Sequence, residues 1–344
     1  MSERGRQMSK EKTLAIPKKI KTLWLILWMD PRVQKIMAPM IKIGRILWVQ
    51  KILVIMSVPW LLHRLLFSYF PLWGWTMAFQ RFRPGVPFRD QVWVGLEHFR
   101  MITVGAISPR FWNSVINSLG QSALSLAIGT VAAVGLSLLL NEMRQIGAKR
   151  VIQNILYLPY FLSMVIIAML AADVLSIGGI LNQMLMSLRI IREPILFLGE
   201  ANYFWGIVAG VNLWRNLGWN TIIYLAAMTS IDPELYEAAD VDGANRYQKM
   251  WRITLPCIKP TIIILLIMNL GWILNAGFEL QWFLGNGMNQ SRSEILDIFI
   301  LRFGMEMGNF SLATAAGMLR TFVAVAMVLT ANFIAKLLGQ ERLI

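Results

Sequence analysis

The sequence predicts an all-α polytopic membrane protein with six transmembrane helices. Three observations carry that prediction. Apolar residues make up 56% of the chain and charged residues only 15%, with a mean hydropathy of +0.55; a soluble domain is usually about one quarter charged. Six segments, near 49–71, 113–140, 151–174, 203–228, 261–283 and 312–338, approach or exceed the ~20 residues a spanning helix needs. Finally, one polar island, residues 236–260, stands between two long apolar runs.

The first 48 residues read as a basic arm. Arg4, Arg6, Lys10, Lys12, Lys18, Lys19 and Lys21 precede a short apolar patch, Leu23 to Met29, which is too brief to span and is closed by Asp30 and Pro31. No small-residue cleavage site follows the patch, so a signal peptide is not expected. Trp24, Trp28, Arg32, Lys35, Lys42 and Arg45 suit a helix lying on an anionic leaflet. This placement also explains the net charge of +14, since basic residues gather beside spans on the cytoplasmic side. No basic groove with interleaved aromatics favours nucleic acid.

Residues 49–112 are expected to form the first span and an external loop, and residues 113–344 the core of the protein. His63 and Arg64 interrupt the first span; an intramembrane Arg is costly unless it snorkels or finds a partner, so Arg64 is expected near the outer third or against protein. The second span is rich in small residues, among them Gly120, Ser122, Ser125 and Gly129, which permit close helix packing. An even number of spans returns both termini to the cytoplasm, together with loops 141–150 and 229–260. The loops 72–112, 175–202 and 284–311 are then external. Arg81, Arg83, Arg89, Arg100 and Arg110 in the first of these offend a simple charge rule, although long loops translocate regardless of charge.

Within the polar island, Asp232 caps and Pro233 begins a helix. Ala238 and Ala239 leave a surface that another protein can approach closely, and Gly243 permits a turn that a Cβ would resist. Trp251, Ile253 and Leu255 give a second short element an apolar face, and Pro256 and Pro260 are expected to stop it.

Chemistry within the chain is sparse. Cys257 is the only cysteine, which excludes an intrachain disulfide and a cysteine-rich metal site. His63 and His98 lie far apart in sequence. No Gly-x4-Gly-Lys-Ser/Thr run is present to cradle phosphates, and no nucleophile, paired carboxylate or metal set emerges in the spans. The chain therefore does not read as an enzyme.

The island resembles a specific motif. Glu237-Ala238-Ala239, three residues, Gly243, nine residues, then Ile253-Thr254-Leu255-Pro256 is similar to the "EAA" loop of ATP-binding cassette (ABC) importer permeases. The resemblance implies a type I ABC importer permease fold in which residues 232–260 are a cytoplasmic coupling helix, docked in a groove of an ATPase subunit through Glu237, Ala238, Ala239, Asp242, Gly243, Ala244, Leu255 and Pro256. A second likeness narrows the family. Phe67 to Gly74, Ala78 to Phe82, Trp93 to Phe99 and Trp214 to Asn220 are similar to the maltose-type branch that imports oligosaccharides and polysaccharides.

What the resemblance implies is a permease subunit in a bacterial cytoplasmic membrane. Its partners would be a second, homologous permease, two ABC ATPase subunits that bind ATP and Mg in place of this chain, an extracellular solute-binding protein, the oligosaccharide and the bilayer. Import of a peptide or another small solute, and a secondary transporter, stay as alternatives; the latter would need neither the coupling loop nor ATP.

Sugar sites combine aromatic faces with amides and carboxylates, which selects Trp214, Arg215, Asn216, Trp219, Asn220 and Tyr224 in the fourth span. Asn269, Trp272, Asn275, Phe278, Glu279, Gln281 and Trp282 are the candidates in the fifth. Polar groups in spans are expected to line a cavity or an interface. Arg215 supports two readings: a fork for the carboxylate of an acidic glycan, with Arg81, Arg83 and Arg89 outside, or a structural partner for a neighbouring helix.

Overall fold

The computed structural model describes residues 48–270, 273 and 277–337. The basic arm lies almost wholly outside the described residues, as do Trp272, Asn275 and positions 338–344. Two compact units divide between Trp73 and Gly74.

Among its described residues the first unit holds the α-helix α1, Lys51–Arg64, which continues into a π-helical turn at Leu65–Tyr69. None of its residues is buried, as a helix turned towards lipid requires when its side chains are apolar on every face. Pro59 sits inside α1; membrane helices tolerate such a residue where backbone groups are satisfied locally. Arg64 lies over the Trp60 ring at 5.4 Å, so its charge is met one turn away by an aromatic face.

The second unit begins with a two-residue ladder, β1 (Gln80–Arg81) against β2 (Val92–Trp93), antiparallel. Helices follow: α2 (Glu97–Thr103), α3 (Ser108–Asn141), α4 (Ile146–Tyr157), α5 (Met164–Val174), α6 (Ile180–Ser187), α7 (Phe204–Met228), α8 (Pro233–Val241), α9 (Arg246–Lys249), α10 (Leu255–Leu270), α11 (Phe278–Leu284), α12 (Gln290–Ser293), α13 (Leu296–Leu301) and α14 (Phe310–Leu337). The architecture is all-α apart from that ladder.

The long pair α3 and α7 forms the centre of this unit. Gly120 of α3 lies under the Trp205 ring of α7, where a Cβ would come within 2.2 Å of it. Gly218 of α7 lies as close to the Leu156 carbonyl. These are the close approaches that small residues allow between membrane helices. One apolar cluster joins Ile102, Phe111, Leu296, Phe299 and Leu312. Another joins Leu138, Leu225, Met228 and Ile258, and a third Ala168, Phe204, Val208 and Leu280.

Among the described residues, four helical segments are long and apolar enough to cross a membrane: Lys51–Phe79, Ser108–Asn141, Arg246–Leu270 and Phe310–Phe333. A bent pair supplies a fifth. Three expectations need correction.

The expected span 151–174 is not one rod. Ile146–Phe161 and Met164–Val174 meet at 102°. Pro159 opens a 3-10 turn, and Ser163 caps α5 by accepting from the Ile166 amide at 3.4 Å, so the backbone restarts in a new direction.

The expected span 261–283 is not one continuous helix. α10 is described as far as Leu270, and α11 is a separate helix behind Gly277, whose φ of +84° is left-handed.

Pro256 and Pro260 do not stop the element in which they lie. Arg246–Leu270 runs through both, with a π-helical turn at Met250–Thr254 just before Pro256. That turn shifts the hydrogen-bond ladder where proline cannot donate and crowds the preceding turn.

α7 is long enough to span at 25 residues, yet it falls outside the apolar set. Its polar side chains have another use.

Candidate functional site

Two features stand out: an exposed loop at one end of the second unit, and a polar cavity within it.

The loop is built by local chemistry. Asp232 Oδ1 accepts from the Glu234 amide at 3.0 Å, and Pro233 occupies the first turn of α8. Gly243 takes a φ of +72° with open space where a Cβ would stand, so its backbone conformation, rather than packing, requires glycine. Asn245 and Gln248 then form a reciprocal capping box, with bonds of 2.9 and 2.8 Å. Lys249 Nζ reaches Asp240 at 2.6 Å, and the Tyr236 hydroxyl meets buried Thr254 Oγ1 at 2.9 Å. α8 and the following helix are thereby tied into one small lever.

Outside that framework, Leu235, Val241, Tyr247 and Trp251 are exposed, Val241 at 89%. Glu237, Ala238, Asp242, Gly243 and Pro256 are exposed too, while Ala239, Ala244 and Leu255 are half-buried, Leu255 against the Leu225 and Ile258 cluster.

The cavity has a volume of about 500 Å³. α3 lines it with Ser122, Ser125, Gly129 and Thr130, residues repeating at the helical spacing of three and four. α7 adds Asn212, Asn216, Trp219, Asn220 and Tyr224, and α10 adds Leu265 and Asn269. Apolar Leu126, Leu213, Leu217, Ile223 and Met268, with Ile273 and Gly277, complete the lining, and none of the lining residues is charged. Ser122 Oγ and Ser125 Oγ are buried without a hydrogen-bond partner among the described residues, a state that an occupant or water would relieve. The arrangement offers amides and hydroxyls beside a Trp face, and no group suited to bond making or breaking.

The expected pathway residues do not all meet. Asn216, Trp219, Asn220, Tyr224 and Asn269 line this cavity. Trp214 instead faces an apolar groove with Ile167, Leu170, Val174 and Val211. Arg215 is half-buried beside the cavity: its Nη1 donates to Asn216 Oδ1 at 3.1 Å, and its guanidinium lies 5.2 Å from the Tyr160 ring. Phe278 and Trp282 stack on each other at 5.4 Å, Glu279 is exposed, and Gln281 is fully buried, donating to Gln121 Oε1 at 2.9 Å.

Sequence reasoning missed a polar ladder next to the cavity. Asn113, Asn117 and Gln121, four residues apart on α3, donate to the carbonyls of Ser291, of Ser291 and Glu294, and of Arg292, respectively. Ser118 Oγ accepts from the Leu296 amide at 2.8 Å. The four-residue spacing of amides was the available signal. Glu294, almost fully buried, is held by Arg110 at 2.6 Å and Arg302 at 3.1 Å. A family model described as "Binding-protein-dependent transport system inner membrane component" matches residues 125–340.

The chain is 40% identical over 294 residues to the polygalacturonan/rhamnogalacturonan transport system permease protein YteP of Bacillus subtilis, covering 85% of this chain and 90% of that one. It is 37% identical over 313 residues to the protein LplB of the same organism, covering 89% and 97%. Among solved structures, it is similar to a chain of a bacterial ABC transporter involved in the import of the acidic polysaccharide alginate, with a TM-score of 0.78, 35% identity and coverage of 86% and 98%. That transporter has also been solved with its alginate pentasaccharide-bound periplasmic protein, and the likeness there has the same TM-score.

Proposed function

The chain belongs to the binding-protein-dependent transport system inner membrane components, and on that premise we propose that its cavity is part of the import path of an oligosaccharide or polysaccharide. As a permease subunit of an ABC transporter it is a multi-pass inner membrane protein without ATPase activity of its own. Partner ATPases bind the ATP.

The observation that carries the cargo assignment is the cavity lining. Four Asn amides, hydroxyls from Ser122, Ser125, Thr130 and Tyr224, and the Trp219 ring surround about 500 Å³. Amides and hydroxyls match sugar hydroxyls, and an aromatic face matches the C–H surface of a pyranose ring. The relatives' cargoes, polygalacturonan or rhamnogalacturonan in one case and alginate in another, support a polymeric sugar.

In this reading α7 is the sixth span, its low hydropathy reflecting the residues it turns towards the cavity. Both termini are cytoplasmic. A second permease completes the path, an extracellular binding protein delivers cargo, and one of two ATPases grips the loop at Glu237, Ala238, Ala239, Asp242, Gly243, Ala244, Leu255 and Pro256. Closure of the ATPase pair moves a lever that the Asp232 cap, the capping box and the Lys249–Asp240 tie keep rigid.

The test is uptake by the assembled complex in proteoliposomes with ATP supplied on the ATPase side and galacturonate oligomers as cargo. ATP-dependent uptake that drops about tenfold or more in Asn220→Leu is expected, because a hydrogen-bonding group is lost where cargo is desolvated. Flux without ATP, or undiminished uptake in the variant, overturns the assignment.

A further inference from the structure

Arg215 is a cation set beside the cavity, and its circumstances are unusual for an intramembrane charge. It sits near the midpoint of α7, where an Arg is costly unless it is paired. No carboxylate pairs with it among the described residues. Its Nη1 contacts the neutral amide of Asn216, its guanidinium lies over the Tyr160 ring, and its Nε is buried without an acceptor. The side chain is held in place yet keeps donors unused.

Its neighbours point towards the cavity. Arg215 lies three residues after Asn212 and four before Trp219, the spacing that places residues on one helix face, and both of these line the cavity. Asn216, which accepts from Arg215, lines it as well. Tyr160, over which Arg215 lies, stacks on Trp219 with ring centroids 4.6 Å apart. The guanidinium thus lies between Asn216, which lines the cavity, and Tyr160, which stacks on the lining Trp219. The lining itself carries no charge, so Arg215 beside it is a counter-charge for a carboxylate entering the cavity.

We propose that Arg215 receives the carboxylate of a uronate residue as the glycan passes the cavity, and that the transporter therefore favours acidic over neutral sugars of the same shape. This rests on the glycan reading above and assigns its specificity. A guanidinium suits the task because it stays charged and presents paired donors to two carboxylate oxygens. Asn216 and Tyr160 hold the side chain without neutralising it.

Methyl esterification removes the charge of a galacturonate oligomer with little change in its ring. The test compares a galacturonate trimer with its fully methyl-esterified form, each presented on saturated binding protein to the complete transporter in proteoliposomes. Wild type, Arg215→Gln and Arg215→Lys are measured side by side. In wild type the acid is expected to move about tenfold or more faster than the ester, as a charge-assisted hydrogen bond implies. In Arg215→Gln the ratio falls towards one because only the acid slows, and Arg215→Lys restores part of it.

Equal rates in wild type, an unchanged ratio in Arg215→Gln, or equal slowing of both cargoes overturns the role of Arg215 while leaving glycan transport standing. Uptake of neither trimer by wild type overturns the glycan reading, and this inference with it.

Discussion

Tyr160 and Trp219 stack with their rings 4.6 Å apart and within 4° of parallel. Tyr160 belongs to the 3-10 turn where the bent span changes direction, and Trp219 to the cavity wall on α7. The bend therefore serves the cavity: it brings an aromatic ring from one helix to fix the indole of another. Tyr160→Leu forfeits about 0.5–1.5 kcal/mol of ring contact. The expected result is cargo uptake weakened severalfold through a raised half-saturation, with assembly intact, as read by proteoliposome transport and co-purification of the partners.

Gly218 of α7 and Gly135 of α3 differ in what surrounds them. A Cβ there would lie 2.2 Å from the Leu156 carbonyl oxygen, whereas at Gly135 of α3 nothing stands within 4 Å. Gly218→Ala is expected to destabilise the purified protein by about 1–3 kcal/mol through overpacking, and Gly135→Ala to have little effect. Thermal unfolding in detergent reads the difference, and equal melting of the two variants would refute the close contact.

Glu294 holds Arg110 and Arg302 together while almost fully buried. Glu294→Ala leaves two cations without their carboxylate, a loss of about 3–5 kcal/mol for a broken buried pair. Arg110→Met added to Glu294→Ala is expected to recover part of that loss, since one stranded charge is removed. Thermal melts of the single and double variants measure the coupling directly.

Asn117 binds the Ser291 and Glu294 carbonyls at 3.0 Å each. Asn117→Leu strands the Glu294 carbonyl at about 1–3 kcal/mol, while the Ser291 carbonyl keeps Asn113. Hydrogen exchange across 286–296 is expected to quicken in this variant, while exchange in α8 stays unchanged.

The coupling loop responds differently, because it is stabilised by its own residues rather than by burial. Gly243→Val forces a β-branched residue into left-handed backbone at a cost of at least about 1–2 kcal/mol. Nothing crowds that site, so global melting should move little. Recovery of the ATPase subunits with the purified permease is where the loss is expected; full recovery and full transport in Gly243→Val would remove the lever argument.

Much of the loop was legible because its determinants are neighbours in the chain. Asp232 before Pro233 and glycine at 243 act within a few residues, and each does in the structure what local chemistry dictates; the Asn245-x-x-Gln248 box is as local in range but went unread. The spans were legible by length and apolarity, with three exceptions. The bend at Ser163 and the left-handed Gly277 ahead of α11 interrupt runs whose hydropathy continues, and α7 is long enough to span but falls outside the apolar set. Hydropathy measures preference for lipid, and is blind to where a backbone turns. Pro256 and Pro260 erred the other way, because the π-helical turn before them absorbs the missing donor within a continuing helix.

By itself, then, the sequence determined that the chain lives in a bilayer, which stretches are apolar enough to cross it, and that a capped, glycine-hinged loop separates two of them. Only the tertiary structure decided which polar residues share a cavity. It set Asn216 and Trp219 beside Asn269 and turned Trp214 away. It also buried Glu294 between Arg110, 184 positions distant, and Arg302. The physical reason is range: caps and turns are satisfied within a helical turn, whereas a membrane-embedded amide or charge takes its partner from whichever helix packing brings alongside, and that choice is written in no single stretch.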